Sequence, residues 1–203
     1  MIIDNANNVS NELIEDVNMA MKEILDLYFN TYTEWYKKEY GSLPKTKYSE
    51  KNNTDESIYL PDTLDENGNV CWLPKLQSKA INFEKLENEL GFAIHTIHKS
   101  IKDLFSIYWF GIIEGEHEIG EIWINGVQPG PDVLWRIKDG FEKGKNHYNE
   151  NAVFFCLGLS DLYTIMLNND TGEITAVLFY EEESIHLADS LEELLRYFID
   201  NMR

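Results

Sequence analysis

Basic residues are scarce in this chain of 203 residues: 17 Lys and Arg stand against 36 Asp and Glu, a formal net charge of −19. So acidic a surface repels phosphate backbones, which argues against nucleic acid as a direct partner and for a basic protein. Cysteine is scarcer still. Cys71 and Cys156 lie far apart inside apolar runs and fit neither a metal spacing nor a redox pair, so they read as buried free thiols in a reducing compartment. The opening MIIDNANNVSNELIEDV lacks the basic and apolar regions of a signal peptide. No apolar stretch approaches the roughly 18–20 residues that span a bilayer, and the longest, Ile107 to Ile113 and Ala152 to Leu159, are strand-length. The expected location is the cytoplasm, with contact at the inner face of the membrane only through a protein partner. Also missing are G-x-S-x-G, a phosphate-cradling glycine loop and H-E-x-x-H. Ser, Cys and His are too scattered to nominate a nucleophile and its base, so neither catalysis nor a cofactor is expected.

Aromatic residues are plentiful: 11 Tyr, 10 Phe and 5 Trp, enough to fill the core of a single domain. Leu13, Val17, Met21, Ile24, Tyr28, Tyr32 and Trp35 recur at helical spacing, predicting one long helix from about Asn11 to Tyr40, with Gly41 and Pro44 as its stop. Its apolar stripe is sparse up to Asp26, so residues 1–26 are expected to be a helical extension and residues 27–203 the domain proper. The polar stretch Lys45 to Ser57 reads as a loop. Asp65-Glu66-Asn67-Gly68 reads as a turn between Ile58–Leu60 and Val70–Leu73. A short helix holds Phe83, Leu86 and Leu90. A second is expected from Ile94 through Tyr108, and a third with Asp132 as its cap holds Val133, Leu134, Ile137 and Phe141.

Strands are expected at Tyr108–Ile113 and Glu118–Ile124 around a turn at Glu114-Gly115-Glu116. Further strands are expected at Ala152–Leu157, Leu162–Leu167 and Ile174–Tyr180, the last two joined by the turn Asn169-Asp170-Thr171-Gly172. Ser190 and Glu193 form the capping box of a final helix burying Leu191, Leu194, Leu195 and Phe198. The fold class is α+β: a single domain with an antiparallel or mixed β-sheet flanked by helices.

Candidate sites are few. His95 and His98 stand three apart on a predicted helix, but no carboxylate or Cys completes a metal set at a known spacing, and no metal is expected. Asp161, Asp170 and Glu173 lack the ligand order of a calcium loop and read as turn residues. The informative pattern is segregation of charge. Glu114, Glu116, Glu118 and Glu121 fall within eight residues free of Lys and Arg; Asp170 to Glu193 holds eight acids, Glu181, Glu182 and Glu183 among them, and no base. Lysines gather elsewhere. Such segregation marks a directed electrostatic surface rather than a uniform solubilising coat. Trp123 and Trp135 follow the first acidic group and are candidate aromatic anchors. The partner-binding set is therefore Glu114, Glu116, Glu118, Glu121, Trp123 and Glu181–Glu183, with the two acidic groups expected side by side in space.

Several segments, taken in order, resemble the SecY-interacting Syd family of the SUKH superfamily. Phe29-Asn30-Thr31-Tyr32-Thr33-Glu34-Trp35-Tyr36 and Gly41-Ser42-Leu43-Pro44 look like its entry helix and following turn. Val70-Cys71-Trp72-Leu73-Pro74 looks like its short aromatic segment, and Leu86 to His98 like its central segment with Ile-His-Thr. Val153 to Glu173 is similar to its last hairpin, and His186-Leu187-Ala188-Asp189-Ser190-Leu191-Glu192-Glu193-Leu194-Leu195 to its closing H-L-A-x-S-L-x-E-x-L. The resemblance covers about residues 27 to 199. The chain departs from it in the N-terminal extension, in the Lys- and Asn-rich loop Lys45–Thr54, and over residues 125–150. It implies a SUKH-like α+β fold without catalytic residues. It also implies one of two kinds of partner: the basic cytoplasmic loops of the SecY translocon, or, as in other SUKH members that act as immunity proteins, a cognate toxin.

Overall fold

The helical spacing of apolar residues near the N-terminus produces a long first helix, α1 (Asn5–Tyr40), in a computed structural model that describes residues 5–90, 96–130, 133–145, 153–178 and 184–202, with side chains from Met21 onward. Met21, Ile24, Leu25, Tyr28, Phe29 and Tyr32 are buried on one stripe of α1 that faces the core. Gly41 ends the helix at φ +65°, its N–H donating to the Lys37 carbonyl at 2.9 Å. That left-handed turn is cheap only for glycine.

The chain then forms β1 (Lys45–Lys47), β2 (Asn69–Cys71), β3 (Lys75–Leu76), α2 (Phe83–Leu90), α3 (Lys99–Ser106) and β4 (Tyr108–Trp109). β1 pairs with β2 and β3 with β4, both antiparallel. The expected pairing of Ile58–Leu60 with Val70–Leu73 is present as a bridge between Tyr59 and Trp72, while the polar loop at Lys45 contributes a strand. The helix expected from Ile94 through Tyr108 is shorter. α3 starts after His98, whose Nδ1 accepts from the Ser100 N–H at 3.2 Å, and it ends before Tyr108, which is in β4. Ile94 and His95 lie outside the described residues. The cap explains the late start: the imidazole satisfies one of the amides that a helix leaves open at its N-terminus.

The main sheet has six strands in the order β10-β9-β8-β7-β6-β5, all antiparallel: β5 (Ile112–His117), β6 (Gly120–Asn125), β7 (Phe154–Ser160), β8 (Tyr163–Asn168), β9 (Ile174–Leu178) and β10 (Ser184–Ala188). Helix α4 (Val133–Lys145) packs on β7, and α5 (Leu191–Asn201) closes the chain. This is the α+β class expected. The hairpin β5–β6 differs in one respect from expectation. Strand β5 runs straight through Glu114-Gly115-Glu116, and the turn falls at Glu118 and Ile119. Ile113, buried, lies one step from Glu114, so the strand alternates through those residues and carries their acids along one face.

The sheet curls. The His117 ring, at the end of edge strand β5, lies beside the Leu187 backbone of the opposite edge strand β10 and 4.8 Å from the Tyr197 ring of α5. Both sheet edges are thereby shielded from strand addition at that point. Elsewhere along β5, the Tyr28 hydroxyl donates to the Glu114 carbonyl and accepts from its N–H, each at 2.8 Å, so α1 covers that edge. The concave face of the sheet and helices α1, α3, α4 and α5 enclose the main core. Phe154, Cys156, Met166 and Val177 form a second buried cluster. Cys71 and Cys156 are free and buried, as their apolar contexts predicted.

Ser190 caps α5 as expected, and the reciprocal bond of the box is shifted by one residue. Ser190 Oγ accepts from the Glu193 N–H at 3.2 Å, and Glu193 reaches back to the Asp189 N–H at 2.8 Å. Ser190→Ala should therefore cost about 1 kcal/mol. Leu195→Ala, at a fully buried site, should cost about 2–5 kcal/mol in urea titrations. Equal and small losses would place α5 outside the core.

Candidate functional site: an acidic cleft walled by aromatic residues

Antiparallel register determines which acids share a face. In β5 and β6, Glu114 is opposite Trp123 and Glu116 is opposite Glu121, so these four side chains stand together on one face of the hairpin. Gly115 separates the two acids of β5. An added Cβ there would come within 2.3 Å of the Phe198 ring, so β5 lies flat on α5. The C-terminal half of α1 runs alongside and brings Tyr32, Trp35, Glu39 and Tyr40 to the same place. The end of α5 adds Asn201 and Met202. The result is a cleft of about 410 Å³ with four carboxylates, those of Glu39, Glu114, Glu116 and Glu121.

The aromatic wall is continuous. Tyr32 stacks on Tyr28 at 5.7 Å and on Trp35 at 6.0 Å, and Trp35 meets Tyr40 edge-on at 5.8 Å. Tyr40 is 62% exposed, so its ring is open to a ligand. The Tyr32 hydroxyl donates to Glu114 Oε1 at 2.7 Å. Burial, and then the Glu114 carboxylate beside it, push the Tyr32 phenol well above its ordinary range, so it stays a neutral donor that orients Glu114. Burial also raises the Glu121 carboxyl, reinforced by Glu114, Glu116 and Asp161; a hydrogen bond from Trp123 works against the shift.

The sign of that shift leads to a prediction. Between the ordinary carboxyl pKa and its raised folded value, Glu121 binds protons more readily folded than unfolded. Its contribution to stability is fullest below the ordinary pKa and declines as pH rises through the folded one. Glu121→Gln should therefore raise the thermal midpoint at pH 7 and flatten its dependence on pH just above 4.5. An unchanged pH profile would show that the carboxyl is not strained.

Not every candidate residue lines this cleft. Glu118 sits in the exposed hairpin turn. Trp123 is half-buried beside Glu121 and is not among the residues that line the cleft. Trp135 is exposed on α4, far along the chain from this group. Glu181, Glu182 and Glu183 lie outside the described residues. The strands they connect, β9 and β10, are at the opposite side of the sheet order from β5 and β6, so the two acidic groups do not leave neighbouring strands. Register does put the turns joining β5 to β6 and β7 to β8 at the same end of the sheet as the last residue of β9, Leu178, and Asp161 belongs to the second of those turns. Other contributors are not marked as binding residues by the sequence: Trp35 belongs to the helical stripe of α1, Asp161 reads as a turn residue, and Glu39 and Tyr40 carry no signal. The trace available in the sequence was the aromatic run Tyr32, Trp35, Tyr36, Tyr40, which continues past the last fully buried turn of α1.

Among the described residues no group of three or more His, Cys, Asp and Glu is placed to hold a metal ion. His98 is spent on the α3 cap, and His95 lies outside the described residues. The Asn168–Glu173 segment is a turn, with the Asn168 carbonyl accepting from the Gly172 N–H at 2.8 Å. No helix among the described residues is long and apolar enough to cross a membrane.

The architecture is thus an α+β domain with a curled antiparallel sheet and an open, acid-lined cleft. Comparison with known proteins narrows this. The profile of the family described as Syd protein (SUKH-2) matches residues 22–129, more than half of the chain. Protein Syd of Idiomarina loihiensis is 27% identical over 176 residues, covering 85% of this chain and 90% of that protein. The chain belongs to the Syd family.

Proposed function

We propose that this chain is a non-catalytic, SecY-binding protein that receives a basic cytoplasmic loop of the translocon in the cleft between α1, β5 and β6. The single observation that carries the reading is the cleft itself: four carboxylates facing an aromatic wall, on residues of which Tyr32 through Glu121 fall inside the family match. Carboxylates attract Lys and Arg over distance, and exposed tyrosine and tryptophan faces hold their cations at contact. Glu118, in the exposed turn between β5 and β6, extends the same field beyond the cleft, and Trp123 holds Glu121 in place. Binding at the inner face of the membrane then needs no lipid contact of its own. The match to the Syd branch supports this reading over an immunity protein directed at a toxin.

The test is co-sedimentation of the purified chain with vesicles containing SecY across a salt series. Binding should be present at low ionic strength and fall steeply as the Debye length shortens through about 8 Å. Absence of binding at low salt, or binding indifferent to salt, would overturn the proposal.

A further inference from the structure

A second pocket, of about 340 Å³, opens between α4 and β7 and shares no lining residue with the acidic cleft. Arg136, Asp139, Gly140 and Lys143 follow the i, i+3, i+4, i+7 pattern, so one face of α4 supplies one wall. Phe155, Cys156 and Leu157 of β7 supply the other, with Leu104 and Phe105 of α3 between them. Gly140 lets the two walls approach, because a Cβ there would lie 2.4 Å from the Phe155 ring. The volume falls within the range of small-molecule sites.

The polar lining is mostly donors. Arg136 Nη1 donates to the Gly126 carbonyl at 2.9 Å, which fixes the guanidinium in place but leaves most of its donors without a partner among the described residues. The lysines near it in sequence are matched: Lys138 with Glu89, Lys143 with Asp139 at 2.6 Å, and Lys145 with Glu142 at 2.8 Å. Arg136 has no carboxylate partner among the described residues. Gln128 also lines the pocket and is 9% exposed. Its Oε1 accepts from Asn52 and, at 3.0 Å, from the Tyr59 hydroxyl. Its amide N–H₂ is therefore the end with no partner among the described residues. Asn125 spends its amide on the Leu157 carbonyl at 3.2 Å. Trp135, 62% exposed, stands at the rim. One carboxylate, that of Asp139, is present, and Lys143 neutralises it.

We propose that this pocket binds a small carboxylate bearing an aromatic or aliphatic body, the carboxylate held by Arg136 and the Gln128 amide and the body lying on Phe105, Phe155 and the Trp135 ring. The planar guanidinium fork matches a carboxylate through two parallel hydrogen bonds. A basic, donor-rich pocket is out of keeping with a chain of net charge −19, where nonspecific electrostatics would repel an anion rather than collect it. Arg136 and Trp135 are on α4, which begins at Val133, beyond the family match ending at residue 129, whereas Phe105 and Gln128 fall inside it; none of the pocket's residues lines the acidic cleft, so the proposal does not rest on the SecY reading.

The test is a ¹H–¹⁵N NMR titration of the full chain with benzoate, N-acetylphenylalanine and the neutral control benzamide, following the indole N–H of Trp135 and the Arg136 side chain. Saturable shifts are expected with at least one carboxylate at a Kd of about 1 mM or tighter, and none with benzamide. Binding of benzoate alone identifies a free small carboxylate; binding of N-acetylphenylalanine identifies the carboxyl end of a peptide chain. Arg136→Gln should abolish the shifts and Arg136→Lys should weaken binding about tenfold, the loss of one bidentate contact. Should Arg136→Gln fail to fold, Arg136→Lys and the exposed-site variant Trp135→Ala carry the same test. Vesicle binding through the acidic cleft should be unaffected in all folded variants. Benzamide shifts equal to those of benzoate, shifts that persist in Arg136→Gln or are unweakened in Arg136→Lys and Trp135→Ala, or no saturable shift with either carboxylate would overturn the proposal.

Discussion

Replacing Glu116 and Glu121 together with lysine is expected to reduce binding to SecY vesicles by at least about tenfold, chiefly through a slower on-rate, while the thermal midpoint stays equal or rises. The two residues face each other across the β5–β6 hairpin, and Glu121 already feels Glu114, Glu116 and Asp161. Reversal converts a cluster of like charges into one of mixed sign, so the fold has nothing to lose, whereas a cationic ligand meets two cations at the centre of its cleft. The effect should be largest at low ionic strength and shrink as salt screens the field. Stopped-flow association rates and a thermal melt on the same variant make the check. Intact binding would mean that the acids only confer solubility. A lowered midpoint would mean that they are part of the stabilising network.

Phe198→Ala is expected to have the opposite signature: a loss of about 3–5 kcal/mol and a fall of the thermal midpoint on the order of 10 °C. Phe198 is fully buried, the last member of the α5 stripe, and its ring lies where Gly115 would carry a side chain. Removing it leaves a cavity directly beneath the strand that holds Glu114 and Glu116. Binding should therefore weaken as well, but with its salt dependence retained, since no charge has changed. Denaturant unfolding measures the first effect and a salt series on the folded variant the second. A loss below about 1 kcal/mol would show that α5 and β5 are not packed as described. The two variants thus separate the charge of the cleft from its support.

Much of the architecture was legible in the chain because it rests on local chemistry. The stripe Ile24, Tyr28, Tyr32 has helical period whatever surrounds it, and Ser190 with Glu193 caps a helix through bonds spanning a few residues. The Asn168–Glu173 turn is likewise closed by its own side chains and a positive-φ glycine. The errors came where a local signal met a stronger distant one. Glu114-Gly115-Glu116 has the composition of a turn, yet the ring of Phe198 and the hydroxyl of Tyr28 hold it extended. Strand β10 passed unnoticed because Ser184, Ile185 and His186 are exposed and carry little apolar alternation; pairing with β9 makes it a strand.

The sequence by itself determined the α+β class, the long first helix, the capped last helix, the free buried thiols and an acidic surface with its charges segregated. Each follows from periodicity, composition or contacts within one turn of chain. Only the tertiary structure decided which acids share a face, because antiparallel register pairs Glu116 with Glu121 and alternation turns both toward α1. Only it could bring Trp35, Glu39 and Tyr40 beside Glu114, some eighty residues away, and place Arg136 in a donor-rich pocket with no carboxylate partner of its own among the described residues. A binding site of this kind depends on distances between residues remote in the chain, and those distances are set by how the helices pack on the curled sheet.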